Sequence, residues 1–151
     1  MVTQALVFLI GFVVFYASHL AADYPMQTDV QTSRKAGWTE IDTANKAVLH
    51  HHGWGANQAH AGTHTAVSLL ALLLIPGLAL GLPLTVPGAV ASLAWIHLSH
   101  AVIDRRVGVA WWMRHTGQTA FQAHGGAAHV DQAAHIVLGL LPAALLLAKL
   151  G

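Results

Sequence analysis

The residues of this sequence best suited to chemistry are four pairs of histidine or aspartate side chains, each pair spaced four positions apart. The pairs are His19 with Asp23, His60 with His64, His100 with Asp104, and Asp131 with His135. Residues four apart in an α-helix lie on one face about one turn apart, so each pair can offer two ligands to an ion. Because the chain has no cysteine, a metal must be held by nitrogen and oxygen. The pattern therefore predicts a metal site.

The type and number of these ligands narrow the metal. Imidazole with carboxylate suits zinc, iron, manganese or nickel better than magnesium or calcium. Eight candidate ligands exceed the four of one tetrahedral zinc, so we expect one or two divalent transition-metal ions, zinc first and iron or manganese as alternatives. Aspartates at membrane depth cost about 2.5–3.5 kcal/mol each without compensation. The competing interpretation is a proton-sharing polar network that joins helices.

The composition predicts a membrane protein that holds these pairs on helices. Of 151 residues, 55% are hydrophobic and only 9% are charged, against about 25% charged in soluble domains. Four segments approach the length of about 20 apolar residues that a span needs, at about residues 3–22, 64–82, 86–104 and 132–150. We expect one all-α domain over residues 1–151, a four-helix bundle in the lipid bilayer. With a net charge of +1, the chain is not expected to bind nucleic acid.

The basic residues predict the orientation of the bundle. Six of the seven lysines and arginines lie in the two long loops, about residues 23–63 and 105–131. The positive-inside rule makes those loops cytoplasmic and places both termini outside. Since no basic residue precedes Arg34, the first helix is expected to be an uncleaved span and not a signal peptide. The four pairs end the odd spans and begin the even ones, so all of them should meet at the cytoplasmic face.

A short repeat predicts two similar halves. Residues 18–23 read SHLAAD and residues 99–104 read SHAVID, and each copy precedes a second pair. The chain is thus expected to contain two parallel helix-pair repeats related by a pseudo-two-fold axis along the membrane normal. Pro142 lies in the last of the predicted spans. Because proline has no N–H, one backbone carbonyl of that span lacks its usual donor, and a neighbouring helix must supply another.

Further polar residues near the pairs are candidates for substrate binding and catalysis. Gln27 follows Pro25 at the mouth of the site, and Arg105 with Arg106 can hold a phosphate, although their positions also fit a purely topological role. Asp29 or Asp131 can serve as general base.

Five other histidines have open roles. His97 can be a ligand or an outer partner of one, and His129 a general acid or a loop residue. His50, His51 and His52 form a loop tract that is expected to be solvated.

These motifs together resemble a known family. The matching residues are His19, Asp23, Gln27, Thr28, Asp29, Lys35, His64, His100, Ile103, Asp104, Asp131, Gln132 and His135. The pattern is similar to that of the small bacterial membrane proteins catalogued as domain of unknown function 3307, and more distantly to membrane-bound metal-dependent hydrolases. The resemblance covers nearly the whole chain and implies a bacterial-type inner membrane. The activity of that family is not established.

Three functions follow as hypotheses. The first is a metal-dependent hydrolase that acts on a phosphate-containing or lipid-like substrate at the cytoplasmic face, where a metal-bound water attacks. The second is a metal-binding transporter or sensor, which the nearly polar-free outer halves of the spans disfavour. The third is a membrane di-iron oxygenase, although only His60 and His64 form the His–His pair on which such enzymes rely. The oligomeric state stays open.

Overall fold

The computed structural model describes residues 2–50 and 52–150, and most of them are helical. The elements in chain order are α1 (Val2–Asp23), α2 (Asp29–Arg34), β1 (Trp38–Ile41), β2 (Ala47–His50), α3 (Trp54–Leu72), α4 (Val86–Ile103), α5 (Val107–His115), α6 (Thr119–Phe121), α7 (Ala127–Ala134) and α8 (Leu141–Lys149). A π-helical segment, Leu73–Ala79, continues α3, and another, His135–Leu140, joins α7 to α8.

Four of the helical stretches are long and apolar enough to cross a membrane. They are Thr3–Asp23, Trp54–Ala79, Val86–Ile103 and Thr119–Lys149. This confirms the prediction of a helical chain with four candidate spans. The second and fourth stretches begin earlier than the apolar sequence suggested. The reason is visible in α3, where Asn57 and His60 are fully buried between helices, so the helix continues through polar residues that hydropathy alone assigns to a loop.

The four long helices pack in a ring. α1 contacts α3 and α8, and α4 contacts the same two helices, so α1 and α4 lie on opposite corners. One end of the ring encloses what we call the apolar core, which comprises Val7, Val14, Phe15, Leu72, Ile96, Leu140, Ala143, Ala144, Leu147 and Ala148. Small residues allow close helix approach: a Cβ on Gly11 would lie 2.8 Å from Cδ2 of Leu147. The apolar core thus fixes the relative positions of helices whose other ends bear the polar pairs.

The carbonyl that Pro142 leaves without its usual donor is satisfied from a neighbouring helix, as the sequence required. Proline has no N–H for the carbonyl four residues earlier, which here is that of Leu138. The indole Nε1 of Trp95, on α4, donates to that carbonyl at 2.9 Å. Ser92 likewise donates to the carbonyl of Ala143 at 2.9 Å. These bonds fasten α4 to the last helical stretch, Thr119–Lys149.

The two long loops contain structure of their own. α2 begins with a capping box at Thr28, and β1 and β2 form an antiparallel hairpin in which Trp38 pairs with His50. Gly53 then enters α3 at φ 82°, where a Cβ would lie only 2.0 Å from the carbonyl oxygen of Arg34. This close approach requires glycine, and it holds the end of α2 against the start of α3.

Candidate metal centre

All four predicted pairs meet at one end of the bundle, in what we call the polar cluster. Its members are His19, Asp23, His60, His64, His100, Asp104, Asp131 and His135. Five of the eight are imidazoles with at most 2% exposure. The ring centroid of His100 lies 3.6 Å from that of His64 and 4.2 Å from that of His135. Histidines from α3, α4 and the last helix are therefore in mutual contact.

The first triad consists of Asp23, His60 and His64. Asp23 Oδ1 lies 3.1 Å from His60 Nε2 and 3.2 Å from His64 Nε2, and the two nitrogens are 3.3 Å apart. Four ligands about 2.1 Å from a tetrahedral ion are separated by about 3.4 Å. The three donor atoms of the first triad are thus spaced as they would be around one metal ion.

The second triad consists of His100, Asp104 and His135. His100 Nε2 lies 3.2 Å from Asp104 Oδ2, and His135 Nε2 lies 3.8 Å from Asp104 Oδ1. His135 directs Nδ1 toward the carbonyl oxygen of Asp131 at 2.9 Å. Donation of that N–H leaves the Nε2 lone pair free for a metal, the usual arrangement of a ligating histidine.

Three donor atoms of the second triad are buried and have no hydrogen-bond partner among the described residues, namely His100 Nε2, Asp104 Oδ2 and His135 Nε2. The contact of 3.2 Å between His100 Nε2 and Asp104 Oδ2 does not have hydrogen-bond geometry. Buried polar atoms are nearly always satisfied, and each exception calls for a cause such as an ion. A cation would satisfy all three atoms at once. The buried cluster can therefore hold a metal ion, with two overlapping ligand groups that share His100.

Each of the two triad aspartates has one carboxylate oxygen in contact with a donor outside the triads. Gln132 Nε2 donates to Asp23 Oδ2 at 2.7 Å. The Lys35 ammonium lies 3.0 Å from Asp104 Oδ1, with both side chains nearly fully buried. Such outer donors orient ligating carboxylates. Sequence spacing did not identify Lys35 or Gln132 as site residues, and their only signal was their place in the family pattern.

His19 and Asp131 lie beside the triads. They are absent from the described groups whose donor atoms are close enough for one ion. His19 Nε2 contacts Gln132 Oε1 at 3.0 Å and Asp23 Oδ2 at 3.2 Å. Asp131 Oδ2 faces Nδ1 of His135 at 3.5 Å, while its Oδ1 is buried and unpaired. Both residues are placed to orient ligands, and Asp131 keeps one carboxylate oxygen available.

A cavity of about 410 Å³ adjoins the first triad. Polar residues on its wall include Asp23, Gln27, Lys35, Arg106 and Asp131, together with apolar side chains from α5 and α7. Gln27 Nε2 is 2.8 Å from His60 Nε2, and the Thr32 hydroxyl donates to Gln27 Oε1 at 2.9 Å. A ligand in this cavity would lie beside one triad aspartate, two cationic side chains and Asp131.

Arg105 and Asp29, two further candidates from the sequence, lie outside the two triads. Arg105 Nη1 donates to the carbonyl oxygens of Lys35 at 2.9 Å and His52 at 2.7 Å, and its guanidinium stacks on Trp54. It therefore fastens the loop that delivers Lys35. Asp29 is exposed in the first turn of α2.

Among the described histidines with open roles, His97, His129 and His50 contact residues outside the polar cluster. His97 contacts Thr65 Oγ1 at 3.1 Å and Gln58 Oε1 at 2.9 Å. His129 is exposed and stacks on Phe121. His50 stacks on Trp38, and His52 is exposed, whereas His51 falls outside the described residues.

Comparison of the chain with protein-family models, with curated proteins and with solved structures found no match. The resemblance in the sequence motifs therefore stays a prediction, and the geometry of the site is the basis for any statement about function.

Proposed function

We propose that this chain is a membrane-embedded, metal-dependent hydrolase that acts on a phosphate-containing or lipid-like substrate at the cytoplasmic face. The observation that supports this most directly is the contact between a metal-binding cluster and a cavity. Asp23 belongs to both, and Lys35 and Arg106 line the same cavity. Ligands, a cationic wall and space for a small substrate thus occur together.

The roles of the individual side chains follow from their positions. A bound divalent ion supplies a water of lowered pKa and polarises the bond to be cleaved, with zinc our first assignment and iron or manganese the alternatives. Lys35 and Arg106 bind the anionic group. Asp131 Oδ1 accepts the proton of the attacking water, because it is unpaired and its residue lines the cavity. Gln27 orients His60.

Charge supports an anionic substrate. The cavity and cluster bring together the carboxylates of Asp23, Asp104 and Asp131 with the cations of Lys35 and Arg106. Even one divalent ion makes the balance positive, and a phosphate group would offset that excess. The apolar side chains of the cavity wall suit the remainder of an amphiphile.

The placement in the cell is part of this proposal. Lys35 and Arg106 lie at the polar cluster or its cavity, and Arg105 binds the carbonyl of Lys35. By the positive-inside rule, this concentration of cations supports a cytoplasmic position for that end of the bundle. We propose a bacterial-type inner membrane with both termini outside, as the likeness to domain of unknown function 3307 implies. The diagonal placement of α1 and α4 in the ring fits two repeats about a pseudo-two-fold axis.

Metal analysis and turnover by detergent-purified protein test the proposal. We expect bound transition metal, and release of phosphate or of a lipid product from a panel of phospholipids and soluble phosphomonoesters. Asp131→Asn should keep the metal but lower turnover about 100-fold, the typical effect of losing a general base. Asp42→Asn, which changes an exposed aspartate in the turn between β1 and β2, is the matched control and should retain full activity. Absence of metal, or metal without turnover of any substrate in the panel, would contradict the proposal.

One observation favours a second candidate, an iron-dependent oxygenase. Each triad contains two histidines and one carboxylate, the ligand set of non-haem iron oxygenases. Iron in the purified protein, with oxygen consumption and no hydrolysis, would support this alternative. The transporter hypothesis has less support, because the apolar core fills the bundle beyond the polar cluster.

A further inference from the structure

The two triads differ in their access to the cavity and in the hydrogen bonding of their donor atoms, and both differences affect how each triad would bind a metal ion. In the second triad, Asp104 is 1% exposed, and none of its three residues lines the cavity. In the first triad, Asp23 forms part of the cavity wall. An ion at the first triad can therefore exchange through the cavity, whereas an ion at the second triad is enclosed.

His100 belongs to the second triad on distance. Its Nε2 lies 3.2 Å from Asp104 Oδ2 but 4.0 Å from Asp23 Oδ1. One imidazole nitrogen binds one ion, so His100 cannot complete both ligand groups at the same time. Assigned in this way, each triad has two histidines and one aspartate, contributed by one half of the chain.

The ion-free states of the triads also differ. The donor atoms of the first triad have partners without a metal, because His64 Nε2 can donate to Asp23 Oδ1 and His60 Nε2 can accept from the Gln27 amide. The second triad has three buried donor atoms with no partner among the described residues. Loss of an ion therefore leaves the first triad satisfied and the second one unsatisfied. This difference favours tight retention at the second triad and weaker binding at the first.

Lys35 makes a further difference between the two triads. Its ammonium binds Asp104 Oδ1 and so directs Oδ2 toward His100. Gln132, which is neutral, has the corresponding position at Asp23. The ammonium also closes the side of Asp104 that faces the cavity, since Lys35 itself lines that cavity.

We propose that the protein binds two inequivalent ions: a retained ion at His100, Asp104 and His135, and an exchangeable ion at Asp23, His60 and His64. This rests on the proposed metal-dependent function and deepens it. The retained ion joins α4 to the last helix and stabilises the bundle. The exchangeable ion lies at the cavity, where it can meet substrate.

Zinc content measured on detergent-purified protein tests the assignment. After dialysis against chelator, the wild type should keep about one zinc per chain, and added Zn²⁺ should raise this to about two. Asp104→Asn and His135→Gln should each abolish the retained zinc. Asp23→Asn and His64→Gln should keep it but fail to take up the second. Asp42→Asn and His115→Gln, the same changes at exposed sites, should behave as the wild type.

Several results would overturn the assignment. They are a wild type that retains two ions or none, equal loss of all metal in the variants of both triads, or retention in the Asp104 variant with loss in the Asp23 variant. Two variants per triad guard against one that fails to fold, which size-exclusion chromatography identifies. If no ion is retained but added Zn²⁺ supports hydrolysis, only this inference fails. If the two ions load as described but no substrate in the panel is turned over, the proposed hydrolase fails instead.

Discussion

The two ends of the bundle are built from the same four helices but differ in what holds them together. At the apolar core the contacts are between alkyl groups and small residues, such as Gly11 against Leu147. At the polar cluster the contacts are between buried imidazoles and carboxylates, and several of their atoms have no hydrogen-bond partner among the described residues. The first end is held together by apolar packing, and the second can hold a cation. In this chain, apolar packing and the candidate metal site are thus separated along the helix axis.

The largest effect is expected at the centre of the polar cluster. His100 contacts both triads, with its Nε2 3.2 Å from Asp104 and its ring 3.6 Å from that of His64. His100→Ala should lower metal affinity by more than the roughly 10–100-fold typical of outer partners, measured by metal titration. His97→Ala, one turn away on the same helix, should leave the affinity unchanged. Equal affinity in both variants would show that the cluster is not a metal site.

A smaller but substantial effect is expected at Lys35. Lys35→Met leaves Asp104 buried without its ammonium partner, and breaking a buried pair costs about 3–5 kcal/mol. Thermal unfolding in detergent should show the loss, and added Zn²⁺ should reverse part of it, because the ion supplies positive charge to the same carboxylate. Lys46→Met, in the exposed hairpin turn, is the matched control. No change in the unfolding temperature would place Lys35 outside the stabilising network.

Substitutions in the apolar core should lower the stability of the protein without changing its zinc content. Leu147 is 1% exposed, and truncation of a buried leucine costs about 2–5 kcal/mol. Because the helices stay in an apolar medium when they separate, we expect the stability lost in Leu147→Ala to be near the lower limit of that range. Its unfolding temperature should fall while the zinc content per folded chain stays that of the wild type. Loss of zinc from the folded variant would show that the two ends are coupled.

The smallest effect is expected at the hydrogen bond that compensates for Pro142. Trp95→Phe removes the indole that donates to the Leu138 carbonyl at 2.9 Å. Interhelical hydrogen bonds in membranes contribute about 0.6 kcal/mol on average, so the unfolding temperature should fall slightly and zinc content should not change. Trp112→Phe, on the exposed face of α5, serves as the control. A fall as large as that of Leu147→Ala would mean that this one bond stabilises the bundle as much as a buried leucine does.

Some features of the site can be predicted from the helical periodicity of the sequence, and others cannot. The i, i+4 spacing of His100 with Asp104 predicts their contact in any helix, and hydropathy finds the four candidate spans. The start of α3 at Trp54 was not predictable in the same way, because Asn57 and His60 read as loop residues until partners on other helices bury them. Lys35 is a comparable case: its sequence neighbours are ordinary loop residues, and only the docking of α2 carries its ammonium to Asp104.

Local spacing and composition are enough to predict four apolar helices, a histidine or aspartate pair on each, and a candidate ligand set without thiolate. The way these side chains group in space follows only from the fold. The fold places His100 next to Asp104, Asp23 at the cavity wall, and Lys35 and Gln132 behind the two carboxylates. Helical periodicity fixes which face of a helix a side chain occupies, whereas distances between helices depend on packing across the whole bundle.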